Sequence, residues 1–156
     1  MFYLAVVGGS SCTDKERELA RKTGKEIAIR GAVLLCGGGS GVMEAVSAGA
    51  SEEGGLVIGI LPGGNRYEGN NYLTAAVATG MGEARNAIIT RTADAVIAIG
   101  GEYGTLSEIA LALKMGKPVI GLKSWSLSPP HEVKDGIIET TGAEEAVKKA
   151  FSLIQY

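Results

Sequence analysis

The fold is decided by the stretch Ala95-Val96-Ile97-Ala98-Ile99-Gly100-Gly101-Glu102-Tyr103-Gly104-Thr105-Leu106-Ser107-Glu108. Its first five residues are all apolar, which is typical of a strand buried on both faces of a parallel sheet. The residues from Gly100 to Gly104 then turn the chain, and Thr105-x-x-Glu108 has the spacing of a capping box that opens a helix. The stretch therefore predicts a strand, a glycine-rich turn and a helix.

The same order of strand, glycine turn and helix occurs twice earlier in the chain. The apolar run Tyr3 to Val7 ends at Gly8-Gly9-Ser10-Ser11, and Thr13 to Glu16 forms a capping box for a helix. The apolar run Ala32 to Cys36 leads through Gly37-Gly38-Gly39-Ser40-Gly41 into a second helix. These repeats predict consecutive βαβ crossovers.

The other predicted elements continue this alternation to the end of the chain. The first helix runs to about Arg30 with Gly31 after it, and the second covers about 42–50. Further strands are predicted at 56–60, 75–78, 119–122 and near 137, and further helices at about 83–92, 105–115 and from 143. Such alternation predicts one Rossmann-like α/β domain over residues 1–156, a three-layer fold with a central parallel sheet and helices on both faces.

Composition excludes several classes of protein. The formal net charge is −2 and no basic block occurs, so we expect no nucleic-acid partner and no anionic membrane surface. The apolar runs are strand-sized and the first residues lack a basic signal-peptide region, so we expect a soluble, cytoplasmic protein. Cys12 and Cys36 form no CxxC motif and the chain has one histidine, so we expect no metal site.

The glycine clusters predict a site for a phosphate-bearing small molecule. In an open parallel sheet, ligands bind outside the carboxyl ends of the strands, and three of those ends open through glycines into helices. A helix N-terminus offers unpaired N–H groups to an anion, and glycine lets the backbone approach closely. The alternative is that each cluster only makes a tight turn. The predicted binding residues are Gly8, Gly9, Ser10, Gly37, Gly38, Gly39, Ser40, Gly41, Gly101, Tyr103, Gly104 and Thr105.

The clusters do not match the common nucleotide motifs. Gly37-x-Gly39 is followed by Val42 where the dinucleotide fingerprint needs glycine, and no GK[ST] sequence occurs. Redox chemistry with NAD and hydrolysis of nucleoside triphosphates are therefore disfavoured. Arg85 and Glu108 are the candidate catalytic residues, although Glu108 could simply cap its helix and Arg85 could be a solvated residue. Lys123, Trp125 and His131 are interpreted as loop and packing residues.

The stretch from Arg85 to Glu108 resembles the LONELY GUY (LOG) family. The signature of that family is PGGxGTxxE with an upstream arginine, and 23 positions separate Arg85 from Glu108, as in the family. The run Gly37 to Met43 resembles the family's GGGxxGLM loop. The resemblance covers about Ala5 to Leu122 and is greatest to a short bacterial branch that also resembles molybdenum-cofactor carrier proteins.

The resemblance implies a dimeric Rossmann-like enzyme that hydrolyses the N-glycosidic bond of nucleoside 5′-monophosphates, giving free base and ribose 5-phosphate. It implies that Glu108 assists the attack of water and that Arg85 positions or stabilises charge. The glycine loops and Thr105 would hold the phosphate, and no cofactor is required. This chain departs from the family pattern at four positions, namely Gly100 for proline, Glu102 for glycine, Asn86 for lysine and Ser107 for an acid.

Two functions therefore stay open at this point. One is a LOG-like phosphoribohydrolase, and the other is a non-catalytic protein that binds or carries a nucleotide, phosphate or molybdopterin. The LOG resemblance implies a homodimer or larger homo-oligomer, and the apolar, alanine-rich helix Thr105 to Met115 offers a self-complementary surface for it. Family members often bear the label "possible lysine decarboxylase", but pyridoxal phosphate enzymes need a Schiff-base lysine in a much larger framework, so we do not expect that activity.

Overall fold

The computed structural model describes residues 1–154, in which strands and helices alternate along the chain. Within those residues the strands are β1 (Tyr3–Gly8), β2 (Val33–Cys36), β3 (Val57–Leu61), β4 (Ala75–Ala78), β5 (Ala95–Ile99), β6 (Val119–Leu122) and β7 (Ile137–Thr140). The α-helices are α1 (Asp14–Ile29), α2 (Val42–Glu52), α3 (Asn86–Thr92), α4 (Tyr103–Lys114) and α5 (Ala143–Leu153). Short 3-10 turns cover Arg66–Glu68 and Gly82–Arg85.

All strands pair in parallel in one sheet, in the order β4-β3-β2-β1-β5-β6-β7. The chain adds strands on one side of β1 as far as β4, and then crosses to the other side of β1 to begin β5. The strand order therefore reverses between β1 and β5, where Leu4 to Gly8 lie opposite Ala95 to Ile99. Such a reversal opens a crevice between the carboxyl ends of the two strands.

Helices cover both faces of the sheet. Helices α1, α2 and α5 pack on one face against side chains such as Leu4 and Val6, while α3 and α4 pack on the other against Ala5 and Val7. Every residue of β5 is buried, as its apolar sequence predicts. The predicted three-layer fold with a parallel sheet is thereby confirmed.

The first helix begins and ends as the sequence predicts. Thr13 accepts a hydrogen bond from the N–H of Glu16 at 3.2 Å, and the Glu16 carboxylate accepts one from the N–H of Thr13 at 3.0 Å, which together form the capping box. After the helix, the N–H of Gly31 donates to the carbonyl of Ala28 at 2.9 Å. No helix of the described chain is long and apolar enough to cross a membrane.

The capping box predicted at the start of α4 is wrong. The helix begins at Tyr103 with Glu102 as its N-cap residue, so Thr105 already lies in the first turn. The Glu102 carbonyl accepts the N–H of Leu106 at 3.0 Å and the indole N–H of Trp125 at 3.1 Å, which fixes the earlier start. Glu108 is therefore not a capping residue, and its carboxylate is available for another role.

Candidate functional site

A cavity of about 910 Å³ opens at the crevice between β1 and β5. Its volume lies within the usual range for small-molecule sites. The walls come from the turn after β1, the 3-10 turn before α3, and the turn and first residues of α4. The lining residues are Gly8, Gly9, Ser10, Ser11, Cys12, Thr13, Glu16, Met43, Pro62, Gly82, Glu83, Arg85, Asn86, Gly101, Glu102, Tyr103, Gly104, Thr105, Ser107 and Glu108.

The second glycine cluster supports this cavity from behind. All of residues 37–41 are described, and none of them is among the lining residues, contrary to the expectation that Gly37, Gly38, Gly39, Ser40 and Gly41 bind the ligand. A Cβ on Gly37 would lie 2.5 Å from Nη1 of Arg85 and 2.7 Å from the Met43 sulfur, so these two side chains cover the cluster.

Hydrogen bonds join that cluster to the first glycine turn. The Ser40 hydroxyl donates to the Ser10 carbonyl at 2.8 Å, and the N–H of Val42 donates to the Gly9 carbonyl at 3.0 Å. The cluster therefore shapes the turn of Gly8, Gly9 and Ser10, which does line the cavity.

The turn after β5 has a backbone that the family proline could not adopt. Gly100 has a φ of 53°, whereas proline fixes φ near −65°. Gly101 has a φ of 93°, and a Cβ there would collide with the Thr105 side chain. A proline at position 100 would therefore require the backbone of the turn above the cavity to take another conformation.

Arg85 is anchored to the ends of two neighbouring strands. Its Nη1 donates to the carbonyls of Gly37 at 2.7 Å and Ile60 at 2.6 Å, just beyond β2 and within β3. Its Nε is buried and has no hydrogen-bond partner in the described chain. Burial lowers the pKa of Arg85 while Glu108 raises it, and the guanidinium stays charged because its ordinary pKa is far above neutrality. The arginine is thus a fixed cation on the cavity wall.

Glu108 is a buried carboxylate on the same wall. Its side chain lies in α4 with 7% of its surface exposed. Within the described residues no hydrogen bond or ion pair holds the carboxylate, and Arg85 acts on it as a nearby charge. Burial raises the pKa of Glu108 to about 7, against the opposing effect of Arg85. A carboxyl group of this kind can accept or donate a proton near neutral pH.

Two of the departures from the family pattern touch each other. Asn86 Nδ2 donates to the Ser107 hydroxyl at 3.4 Å, and that hydroxyl donates to the Gly104 carbonyl at 2.6 Å. Asn86 Oδ1 is buried without a partner in the part of the chain that the structure describes. The lysine and acid of the family motif are therefore replaced by a neutral hydrogen-bonded pair at one location.

Aromatic side chains flank the mouth of the cavity. Tyr103 is 80% exposed, and its ring centre lies 5.8 Å from that of Trp125 at an interplanar angle of 34°. Trp125 is a packing residue as predicted, since it contacts the core beneath α4. Its contact with the site could not be read from the sequence, although it follows β6, the neighbour of β5.

The wall carries more negative than positive side chains. Glu16, Glu83, Glu102 and Glu108 line the cavity together with Arg85, the one cationic residue in that lining. Of these four carboxylates, Glu108 is the one that acts on Arg85 as a nearby charge. No group of three His, Cys, Asp or Glu residues in the described chain could hold a metal ion. Cys36 is fully buried in the core, where burial raises the pKa of its thiol, whereas Cys12 lies on the cavity wall.

The sequence relatives include a protein without an assigned function and a plant phosphoribohydrolase. A protein of Archaeoglobus fulgidus without an assigned function is 42% identical over 152 residues, which cover 97% of this chain and 96% of that protein. The cytokinin riboside 5′-monophosphate phosphoribohydrolase LOG of Oryza sativa is 39% identical over 97 residues. That match covers 60% of this chain and 40% of the rice enzyme, so the chain corresponds to less than half of the plant protein.

Solved structures match over nearly the whole chain. The molybdenum cofactor binding protein of Rippkaea orientalis is 36% identical with a TM-score of 0.88, and the match covers 99% of this chain and 98% of that one. The molybdenum cofactor carrier protein of Chlamydomonas reinhardtii is 29% identical with a TM-score of 0.82 and 97% coverage of both chains. Residues 1–153 match the SLOG cluster4 family. The chain therefore belongs to the SLOG cluster4 family, a branch of the LOG family.

Proposed function

We propose that this protein binds the molybdenum cofactor, or a closely related phosphorylated pterin, as a carrier. The two cofactor-binding relatives match almost the full length of both chains, whereas the rice LOG enzyme matches 60% of this one. The turn above the cavity also departs from the hydrolase motif at Gly100 and Glu102. These differences favour binding over hydrolysis.

The observation that carries the proposal is the uncapped start of α4 inside the cavity. No side chain of the described residues caps this twelve-residue helix, and Tyr103, Gly104 and Thr105 of its first turn line the cavity. The first N–H groups of a helix have no partner within the helix and attract anions. The phosphate of a pterin cofactor would bind at this end, next to the turn of Gly9 and Ser10.

The protein would recognise the organic part of the cofactor. The described residues hold no group of three metal-binding side chains, so the fit is to a ring and a phosphate. A cavity of about 910 Å³ can enclose a ligand of that size. Molybdenum, where present, would arrive already held by the cofactor as part of the cargo.

Occupancy of the purified protein tests this proposal. The chain would be produced in a bacterium that makes the cofactor, purified without oxygen, and measured by native mass spectrometry. The denatured sample would then be oxidised and its pterin fluorescence measured. We expect a bound pterin in near-stoichiometric amount.

A blocked cavity supplies the matched control. Nothing lies within 4 Å of a Cβ added at Gly104 or at Gly136, and both have ordinary negative φ values, so Gly104→Leu and Gly136→Leu should both fold. Gly104 lines the cavity and Gly136 does not, so only Gly104→Leu should lose the pterin. Absence of pterin from the unaltered protein, or equal loading of both variants, would contradict the proposal.

Glu108 supports phosphoribohydrolase activity as a second candidate. A carboxylate with a pKa of about 7 could accept a proton from water as the water attacks C1′ of a nucleoside 5′-monophosphate. The C–N bond to the base would break with its electron pair passing to the base nitrogen, which would take up a proton from solvent, and the sugar would leave as ribose 5-phosphate. Arg85 would offset negative charge near the reacting sugar, because its guanidinium is held in place by Gly37 and Ile60.

Release of free base distinguishes the two candidates. AMP, GMP and CMP would be incubated with the protein and with Glu108→Gln, and the base separated by chromatography. A hydrolase should lose about 10²- to 10⁴-fold in rate in the variant. Base release by the unaltered protein at a rate that Glu108→Gln leaves unchanged would contradict this mechanism, and no release from any of the three would leave the carrier function alone.

Assembly and location belong to the same proposal. We propose a homodimer, because the LOG resemblance implies one and the outer side of α4 carries Leu106, Ala110 and Leu113 with at least part of each side chain exposed. Sedimentation at micromolar concentration should give twice the chain mass of 16.0 kDa. We propose a cytoplasmic location, where a pterin cofactor would be handed from one protein to the next.

A further inference from the structure

The mouth of the cavity carries an exposed aromatic side chain that has no role in binding the phosphate. Tyr103 is the first residue of α4, lines the cavity and leaves 80% of its side chain exposed. An exposed aromatic ring at a cavity mouth offers a face on which a flat ligand ring can stack. Trp125 packs against the Tyr103 ring at 5.8 Å and is itself partly buried, so it supports this ring from the protein side.

Glu102 precedes Tyr103, and within residues 1–154 no hydrogen bond or ion pair holds its side chain. Its backbone is held by Trp125, whose indole N–H donates to the Glu102 carbonyl at 3.1 Å. Its carboxylate makes no capping bond to α4 and lies on the cavity wall. A carboxylate repels a phosphate, so the group that meets it should be a hydrogen-bond donor rather than an anion.

We propose that Tyr103 and Glu102 form a subsite for a flat heterocycle that carries a 2-amino-4-oxopyrimidine edge. The Tyr103 ring stacks on the heterocycle, and the Glu102 carboxylate accepts its ring N–H and its amino N–H. The inference rests on the proposed function, because the α4 start binds the phosphate of the same ligand. Pterin and guanine share this edge, so both are expected to use the subsite.

The edge chemistry explains why a glutamate suits this position. A carboxylate has two acceptor oxygens, and the 2-amino-4-oxopyrimidine edge presents two adjacent donors to it. Adenine presents a donor next to an acceptor, which matches the mixed amide of glutamine rather than a carboxylate. Glu102 should therefore select guanine over adenine, and Glu102→Gln should reverse that preference.

Four probes separate the subsite from the phosphate site. GMP and AMP have the same sugar and phosphate with different edges, ribose 5-phosphate has no ring, and neopterin monophosphate tests the pterin itself. Trp125 is the only tryptophan in the chain, so its fluorescence reports events at the Tyr103 ring. Calorimetry would give the affinities, with Tyr67→Ala as a control because Tyr67 is 79% exposed and lies outside the lining residues.

The expected result is specific to rings. Tyr103→Ala should weaken GMP, AMP and neopterin monophosphate by about 5- to 150-fold, the range found when an aromatic that stacks on a base is removed. It should leave the affinity for ribose 5-phosphate unchanged, and Tyr103→Phe, which keeps an aromatic ring, should recover the affinity for the ring compounds that Tyr103→Ala loses. Tyr67→Ala should bind all four compounds normally. GMP should bind about tenfold or more tightly than AMP, and Glu102→Gln should favour AMP.

Each contrary outcome would overturn a different part of the proposal. If ribose 5-phosphate binds but Tyr103→Ala leaves the three ring compounds unaffected, the subsite is overturned and the phosphate site stands. If AMP and GMP bind equally to both the unaltered protein and Glu102→Gln, the role of Glu102 is overturned. If none of the four compounds binds, the proposed function fails together with the subsite.

Discussion

The burial of Glu108 predicts that its replacement by glutamine stabilises the protein in a pH-dependent way. In the folded chain the pKa of Glu108 is about 7, against an ordinary value of 4.5, because burial disfavours the charged carboxylate. The difference of about 2.5 pKa units corresponds to about 3 kcal/mol of unfolding free energy. The folded protein loses this much stability when Glu108 is ionised, because the carboxyl group ionises more easily in the unfolded chain than in the folded one.

The sign of the pH dependence follows from the raised pKa. Below about pH 4.5 the carboxyl group is protonated in both states, so it costs no stability. Between about pH 4.5 and 7 the carboxyl group is ionised in the unfolded chain but stays protonated in the folded chain, so the loss of unfolding free energy grows with pH. Above about pH 7 both states are ionised and the full cost remains. The glutamine of Glu108→Gln is neutral at every pH, so this variant does not suffer the loss of stability.

Thermal denaturation followed by circular dichroism measures the effect. Glu108→Gln should match the unaltered protein near pH 4.5 and exceed it by about 3 kcal/mol near pH 8, a Tm difference of about 6–12 °C for a chain of this size. Glu83→Gln is the control, since Glu83 lies on the same wall but is exposed and should change stability by less than about 0.5 kcal/mol. A gain from Glu108→Gln that is equal at both pH values would refute the assigned burial cost.

Four further substitutions, two of them combined in one variant, test the supports of the site. Arg85→Ala leaves the carbonyls of Gly37 and Ile60 without this donor and should lower the unfolding free energy by about 1–3 kcal/mol in urea titrations. Thr13→Ala removes the α1 cap and should lower it by about 0.5–2 kcal/mol in the same assay. Asn86→Lys places a charge at a buried position, so its Tm should fall, and adding Ser107→Glu should restore part of the loss by supplying the partner that the family motif has.

Much of the fold could be predicted because its signals are local. The apolar run of β5 and the capping box of α1 each identify their element from a few neighbouring residues. The crevice could be placed as well, since consecutive right-handed crossovers bring the carboxyl ends of parallel strands to one edge. These features need no knowledge of which side chains meet across the sheet.

The features that the sequence did not predict depend on contacts between segments that are distant along the chain. The start of α4 moved from Thr105 to Tyr103 because Trp125, twenty-three positions after Glu102, holds the N-cap carbonyl. The second glycine cluster resembles a ligand loop in sequence, but Arg85 reaches across from another element and covers Gly37. Neither contact leaves a pattern in the local sequence, so the sequence misplaced the start of α4 and could not show that Arg85 covers Gly37.

The four departures from the LOG motif fall into two spatial groups, and this grouping bears on function. Gly100 and Glu102 belong to the turn at the mouth, whereas Asn86 and Ser107 contact each other on the wall. The buried Glu108 and the anchored Arg85 stay in place between these changes. Ionisation of the buried Glu108 costs about 3 kcal/mol. The departures from the motif therefore lie both at the mouth and on the wall that carries Arg85 and Glu108. We expect those at the mouth, Gly100 and Glu102, to bear on which ring the cavity accepts.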